Sequence, residues 1–228
     1  MRATAVARAA PRKLAGRVWS TRPALVVAVD TGAAEHVPLV DGLSVAVRPS
    51  AELVEIGASL AVAEGADYLY LRGLEHMRTS DPGDAHVAVA GDGAIAASLF
   101  VHDAATRDRL ELYAPGIYPP IAVDEALTEG VYCWPSWRGR GVTPALLSAT
   151  VARLGRLGIR RALAVIDADN TASLRAFSRV GYLPTGTLRV GRYRLNRWSS
   201  SFVERARLAD DLWSEALGRP RANVPSRL

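Results

Sequence analysis

Apolar and polar residues alternate along several short segments of the chain, the pattern of half-buried β-strands. Leu43, Val45 and Val47 alternate with smaller or polar residues, and a valine-rich run at 23–30 indicates an additional strand. Segments 86–90 and 94–102 flank Gly-Asp-Gly, which predicts an antiparallel hairpin. Further strands are predicted at 129–134, 160–167, 187–190 and 192–195.

Other segments carry leucine and valine at intervals of three and four residues, which predicts amphipathic helices. The predicted helices cover 50–65, 66–78, 143–158 and 171–180. A last helix is expected in the tail, where Ser201 and Glu204 have the spacing of a capping box. The connection 103–126 lacks such a pattern but contains tyrosines and prolines, which favours a packed lid that walls a substrate pocket.

The stretch from Pro135 to Thr143 lies where a strand ends and a helix begins. Its glycines permit a tight turn, and the N–H groups at the start of a helix attract anions. With Arg138 and Arg140 beside it, this turn suits a pyrophosphate; the alternative is a tight turn with solvated arginines. The stretch is neither a Rossmann fingerprint nor a Walker loop, because Pro144 stands where a glycine is required and the loop contains no lysine.

Two motifs resemble those of the GNAT acetyltransferase superfamily. Residues 138–143 are similar to its Arg/Gln-x-x-Gly-x-Gly/Ala loop, and the helix after the following strand has its Asn-x-x-Ser-x-x-x-Phe-x-x-x-Gly-Tyr arrangement, here Asn170, Ser173, Phe177, Gly181 and Tyr182. The resemblance implies an α/β fold of the α+β type. It has a mixed central sheet of about 6–7 strands, flanked by helices, with a V-shaped splay between the fourth and fifth strands.

The resemblance also implies acetyl-CoA as co-substrate, with its pantetheine arm between segments 129–134 and 162–167. The backbone N–H of Cys133 would then stabilise the oxyanion, while its thiol is expected to pack rather than to attack. The residues implied in cofactor binding are Cys133, Trp134, Arg138, Gly139, Arg140, Gly141, Val142, Thr143, Asn170 and Ser173. Asn170 also suits a helix cap. No metal site is implied.

A general base is needed to deprotonate an acceptor amine. Glu129 is the first candidate, placed by period two on the same strand face as Val131 and Cys133; the alternative is an exposed carboxylate, and His102 is the runner-up base. Many family members have a tyrosine as general acid where this chain has Phe177. Tyr132, Tyr182 or water would then replace it, or the thiolate leaves unaided.

These motifs favour an enzyme that moves acetyl from acetyl-CoA to a primary amine of a small molecule or peptide by direct attack. The alternative is a non-catalytic module that binds CoA. Nucleic-acid binding is not expected, because the residues behind the net charge of +5 are scattered and no recognition pattern accompanies them.

The sequence predicts a mobile basic arm at 1–16, a GNAT domain at 17–198 and a helix and tail at 199–228. A single cysteine, Cys133, excludes an intramolecular disulfide. The apolar runs are too short for a signal peptide or a membrane span, so we expect a cytoplasmic protein without membrane partners. The tail helix and Trp198 could supply a homodimer surface.

Overall fold

The computed structural model describes residues 19–53, 84–113, 116–194 and 197–219. Within them, eight strands form one mixed sheet. The strands are β1 Trp19–Asp30, β2 Leu43–Pro49, β3 Asp84–Ala90, β4 Ile95–His102, β5 Glu125–Cys133, β6 Arg161–Asp167, β7 Leu183–Arg194 and β8 Arg197–Glu204. The helices are α1 Arg107–Tyr113, α2 Val142–Arg156, α3 Thr171–Ser178 and α4 Ala206–Ala216, and a short 3-10 turn covers Pro135–Trp137.

The spatial order of the strands is β2-β3-β4-β5-β6-β1-β7-β8. The predicted hairpin is confirmed as β3 and β4, and β5 with β6 is the parallel pair among the described strands. The count exceeds the predicted six to seven because β8 pairs with β7 over its whole length. The two segments predicted at 187–190 and 192–195 belong to one strand, β7.

The predicted capping box is wrong, because Ser201 and Glu204 lie in β8, opposite Val190 and Thr187. The tail helix α4 begins only at Ala206. The predicted domain boundary at 198 therefore falls inside a strand of the sheet. The amphipathic character of the tail is confirmed, since α4 buries Ala209, Trp213 and Ala216 in the main core. The predicted arm at 1–16 lies outside the described residues.

Helices α2, α3 and α4 share one core with the sheet, whereas α1 contributes to a separate cluster that contains Leu110, Ile121, Leu127 and Leu163. The helices predicted over 50–78 lie outside the described residues apart from a helical start at 50–53. No helix in the described part of the chain has both the length and the apolar character needed to cross a membrane.

The connection 103–126 packs on the sheet as predicted and contains a helix that the sequence does not predict. The Asp103 carboxylate accepts hydrogen bonds from the N–H groups of Ala105 and Thr106, at 2.9 and 3.1 Å, and α1 follows. Leu110 of α1 is buried against the sheet, and β5 already begins at Glu125 rather than at Glu129. The segment is thus a packed cover over one face of β5.

Strand β5 separates from its parallel neighbour after a short contact. Glu125, Ala126 and Leu127 pair with β6, and the pairing stops there although both strands are fully described. The predicted splay between the fourth and fifth strands is therefore present, and it opens toward the carboxyl ends of the two strands, numbered β5 and β6 because β1 precedes them.

A β-bulge accompanies this splay. Glu129 lies opposite Phe100 and Tyr132 opposite Ser98, so three steps along β5 correspond to two along β4. The extra residue lies beside Gly130, whose φ of 58° favours glycine. Beyond the bulge, Val131 and Cys133 pack into the core of α2 and α3.

Because of the bulge, the prediction that Glu129 shares a strand face with Val131 and Cys133 is wrong. Leu127 belongs to the α1 cluster, and Glu129, two residues later, contacts Tyr118, which packs against the same cluster. Glu129 therefore lies on the opposite face from Val131 and Cys133, not on the shared face that period two predicts. One additional residue is enough to reverse the alternation of side chains.

Candidate active site

A cavity of about 730 Å³ lies between the end of β5, the start of α2 and helix α3. Its lining combines the glycine loop with one face of α3. The residues include Val131, Tyr132, Cys133, Trp137, Arg138, Gly139, Gly141, Val142, Thr143, Pro144, Ser173, Arg175, Ala176, Arg179 and Arg219. Most of the loop predicted to bind pyrophosphate therefore borders one open space.

The glycine loop exposes the amino end of α2, a helix of 15 residues. Gly141 is its N-cap, with φ 81°, and no side chain among the described residues caps it. Gly139 also has a positive φ of 75°, and a Cβ at either glycine would meet no described atom within 4 Å. Glycine is thus required by the backbone conformation rather than by crowding. Val142 and Thr143, which carry the first N–H groups of α2, line the cavity, and such groups attract anions.

The two arginines of the loop, Arg138 and Arg140, make different contacts. The Arg138 Nε donates to the carbonyl oxygen of Cys133 at 3.0 Å, and its guanidinium lies over the ring of Tyr132. Arg140 stacks over Trp137, with 5.2 Å from its Cζ to the ring centroid, and is not part of the cavity lining. Arg138 therefore borders the predicted site, whereas Arg140 points elsewhere.

Three further arginines line the cavity that Arg140 was expected to line. Arg175 and Arg179 lie on α3 and just after it, and Arg219 follows α4. Arg175 is held by a bond from its Nε to the carbonyl oxygen of Ala216, 3.2 Å away. The sequence signal for Arg175 and Arg179 is their i, i+4 spacing; Arg219 carries no such signal because it enters from the tail.

Trp134 does not line this cavity, although the resemblance implied a contact with the cofactor. Its side chain is fully buried and meets Tyr132 edge to face at 5.0 Å. Tyr132 does line the large cavity, and its hydroxyl accepts a hydrogen bond from Arg138 at 3.3 Å. Trp134 is therefore a core residue, which supports the strand that carries its neighbours.

The backbone N–H of Cys133 faces the gap between β5 and β6. The Trp134 N–H donates to the Ala96 carbonyl at 3.0 Å, so the adjacent pair of Cys133 and Ala97 is a pair without mutual hydrogen bonds. In such a pair the N–H points away from the partner strand, here away from β4 and toward the gap. Burial raises the pKa of the Cys133 thiol, so the thiol stays protonated and packs.

A second cavity, of about 410 Å³, passes between the separated strands β5 and β6. It shares Val131 and Ser173 with the large cavity and is lined from both faces of the sheet. On the α3 side it is lined by Asn170, Ser173 and Phe177; on the opposite side lie Tyr118, Glu129 and Arg189; Thr128, Gly130, Val131 and 164–167 form its walls. The splay thus lies between the glycine loop side and the face covered by α1, and Val131 and Ser173 border both cavities.

Asn170 lies at the mouth of this cleft and is also the N-cap of α3. Its Oδ1 accepts a hydrogen bond from the Ser173 N–H at 3.2 Å. The amide nitrogen of Asn170 is not used in that bond, so the cap and a contact to a ligand are compatible. Both residues predicted from the second motif are therefore brought to the cleft.

Glu129 lies in the second cavity with its carboxylate turned inward. Its Oε1 accepts a hydrogen bond from the Tyr118 hydroxyl, and its Oε2 is buried. Burial raises the pKa of Glu129 to about 7, against the opposing effects of the Tyr118 hydrogen bond and the positive charge of Arg189. A carboxylate with this pKa can accept a proton at neutral pH and release it again.

Arg189 holds the groups around Glu129 in place through two hydrogen bonds. Its guanidinium donates to Asp167 at 3.1 Å and to the carbonyl oxygen of Ile117 at 3.3 Å, which ties the α1 cover to strands β6 and β7. Tyr118 and Arg189 were not among the predicted site residues. Both are distant in sequence from the two motifs, and only the tyrosine content of the connection 103–126 pointed in their direction.

The alternative acid and base residues lie elsewhere. His102 is fully buried and lines neither cavity. Tyr182 is also fully buried, packs edge to face on Phe177 at 4.8 Å, and has a pKa raised by burial. Neither residue lines the cleft, whereas the titratable side chains of Tyr118, Glu129 and Asp167 do.

Comparison with known proteins agrees with this geometry. The sequence profile of the acetyltransferase (GNAT) family matches residues 57–182. A mycothiol acetyltransferase from Geodermatophilus obscurus is 35% identical over 72 residues, which are 32% of this chain and 23% of that protein. The alignment thus spans about a quarter of the length of this curated relative.

Two solved structures share the fold at low identity. One contains a GCN5-related glucosamine N-acetyltransferase region of a fungal multi-domain β-N-acetylglucosaminidase, with 16% identity, a TM-score of 0.51, and coverage of 86% of this chain and 22% of that one. The other is a conserved protein of unknown function from Staphylococcus epidermidis, with 13% identity, a TM-score of 0.50, and coverage of 81% and 65%.

Proposed function

Because the chain belongs to the acetyltransferase (GNAT) family, we propose that it transfers an acetyl group from acetyl-CoA to a primary amine by direct attack in a ternary complex. The observation that carries this proposal is the position of Glu129. Its carboxylate has a pKa near 7 and lines a cleft that shares Val131 and Ser173 with the cavity beside the glycine loop. A base in that position can activate an amine that meets a thioester inside the cleft.

The residues of the large cavity fit the anionic part of acetyl-CoA. The first-turn N–H groups of α2 would bind the pyrophosphate, and Arg138, Arg175, Arg179 and Arg219 would neutralise the phosphates. The pantetheine arm would enter the splay, where β5 is no longer paired with β6 beyond Leu127 and its β6-facing edge is open. Asn170 and Ser173 at the mouth would bind its amides.

The reaction follows from the polar groups that converge on the gap. The Cys133 N–H would donate to the thioester carbonyl oxygen as negative charge develops on it. Glu129 would accept the proton of the attacking amine. The nitrogen–carbon bond then forms, the carbon–sulfur bond breaks, and CoA departs as a thiol after it receives a proton. Since Cys133 remains protonated and packed, no acetyl-enzyme is required.

We propose that the acceptor is a small-molecule or peptide amine and that the protein acts in the cytoplasm. A relative named mycothiol acetyltransferase and a structural neighbour with a glucosamine N-acetyltransferase region support an amino sugar or its conjugate as the first amines to test. The carboxylates of Glu129 and Asp167 at the cleft favour a cationic acceptor. A homodimer through the tail helix remains a prediction.

The test is an acceptor screen with acetyl-CoA. Glucosamine, cysteine and a short peptide with a free amino terminus are incubated with the wild-type protein, and acetylated products are measured by mass spectrometry. We expect at least one product, and we expect Glu129→Gln to bind acetyl-CoA normally but to form that product at least about 100-fold more slowly. Binding of acetyl-CoA by the wild type with no transfer to any amine would favour the alternative, a non-catalytic CoA-binding module.

A further inference from the structure

Phe177 is the aromatic side chain that α3 contributes to the lining of the cleft. It has no proton to give to the departing thiolate. Tyr182, its nearest aromatic neighbour, is fully buried in the core. A proton for the thiolate would then come from a residue on another element or from solvent, unless the thiolate leaves unaided.

Tyr118 supplies a phenol from the opposite side of the same cleft. It lies in the cover between α1 and β5, and it lines the cavity together with Phe177 and Glu129. Its hydroxyl already donates a hydrogen bond to Oε1 of Glu129. The backbone next to it is fixed, because the Ile117 carbonyl oxygen accepts a bond from Arg189 at 3.3 Å.

We propose that Tyr118 is the proton donor to the departing thiolate and that Glu129 restores the proton to it. This inference rests on the proposed function. The amine first gives a proton to the Glu129 carboxylate as the nitrogen–carbon bond forms. When the carbon–sulfur bond breaks, the Tyr118 phenol gives its proton to sulfur and takes the proton of Glu129 across their hydrogen bond. Both side chains return to their initial states, and the net transfer is one proton from the amine to CoA.

The proposed acid, Tyr118, and the proposed base, Glu129, are joined directly by a hydrogen bond. The charged and titratable groups that face Glu129 in the cleft are Tyr118 from the cover, Asp167 from β6 and Arg189 from β7. Removing the phenol would take away a hydrogen bond that lowers the pKa of Glu129, so the ionisation of the base should also change. A tyrosine that only positions Glu129 would shift the acidic limb of the pH profile as well, whereas an alkaline limb that moves with the acidity of the phenol requires that the phenol itself gives up a proton.

The experiment compares Tyr118→Phe with Tyr182→Phe, the same substitution at a buried tyrosine outside both cavities. The amine found in the acceptor screen is used, and kcat, KM for acetyl-CoA and the pH profile of kcat are measured. We expect Tyr118→Phe to lower kcat at least about 100-fold with KM within about twofold, and to move the acidic limb of its profile to higher pH. Tyr182→Phe should show the same pH profile of kcat as the wild type.

A second variant keeps the fold if the loss of the hydroxyl disturbs it. Incorporation of 3-fluorotyrosine at position 118 makes the phenol more acidic without removing it, so the alkaline limb of the kcat profile should move to lower pH. An alkaline limb that stays in place, or a wild-type kcat in Tyr118→Phe, would overturn the proposal while Glu129→Gln remains inactive. Absence of transfer by the wild type itself would overturn the proposed function and this inference together.

Discussion

The Tyr118 hydroxyl donates a hydrogen bond to Oε1 of Glu129, and this contact joins the α1 cover to the bulged strand at the inner end of the cleft. The two residues are eleven positions apart, yet each belongs to a different layer of the fold. Glu129 keeps the α1 face that Leu127 occupies, and the bulge beside Gly130 turns Val131 and Cys133 to the other face. The bulge therefore separates the base from the residues that would hold the thioester.

Gly130→Ala tests the role of the bulge. At φ 58° an alanine side chain is strained, so we expect a loss of unfolding free energy of about 1 kcal/mol, measured by urea denaturation. We also expect kcat to fall at least about tenfold, because a 1 Å displacement of Glu129 is costly. Gly42→Ala is the control, since Gly42 has a φ of 78° in a turn outside both cavities. An equal loss of stability and of kcat in both variants would contradict a special role for the bulge.

Gly141→Asp tests the anion site of the loop. A carboxylate at the N-cap of α2 would occupy the cavity mouth and repel the pyrophosphate, so affinity for acetyl-CoA should fall at least about 100-fold in calorimetry. Gly42→Asp introduces the same charge and similar backbone strain away from the cavity and should bind normally. Unchanged affinity in Gly141→Asp would refute the assignment of the loop.

Arg179→Ala and Arg140→Ala distinguish the arginine that lines the cavity from the arginine that stacks on Trp137. A lost charge-assisted hydrogen bond to phosphate is worth about 1.5–3 kcal/mol, so Arg179→Ala should weaken acetyl-CoA binding by roughly 10- to 100-fold. Arg140→Ala should change it less than about threefold. The reverse order of the two dissociation constants would show that the loop binds the cofactor differently.

Glu129→Gln should change how stability depends on pH. Because the folded-state pKa of Glu129 is raised from 4.5 to about 7, the native protein holds a proton that the unfolded chain has released between these values. The wild type therefore loses stability as pH rises from about 4.5 to 7, by up to about 3 kcal/mol from this group. Urea unfolding should show that the Glu129→Gln variant gains stability relative to the wild type between pH 5 and pH 8. A difference between the two proteins that is independent of pH would contradict the raised pKa.

Local patterns were sufficient to predict the frame of the site. The β3–β4 hairpin follows from its Gly-Asp-Gly turn, and α2 and α3 follow from their helical spacing and the glycines around them. Arg138, Gly141, Asn170 and Ser173 each line one or both of the two cavities, because their positions depend only on adjacent strands and helices.

The remaining features depend on contacts that no local pattern contains. A single extra residue in β5 reverses the face of Glu129, and period two cannot detect it. The serines of β8 have cap-like spacing, yet the backbone of β7 pairs with them. Tyr118, Arg189 and Arg219 enter the site from other elements, and Trp134 and Arg140 are diverted by aromatic contacts.

The pH dependence of kcat/KM for the amine is the decisive measurement for Glu129, because it reports the ionisation of the base in the free enzyme. We predict that kcat/KM of the wild type rises with pH and levels off above a pKa near 7, since only ionised Glu129 can accept the proton. Glu129→Asp should retain this rise at reduced rate, and Glu129→Gln should lose it. A rise at pH 7 that persists unchanged in Glu129→Gln would assign the base to the amine itself or to another group, and would contradict this account.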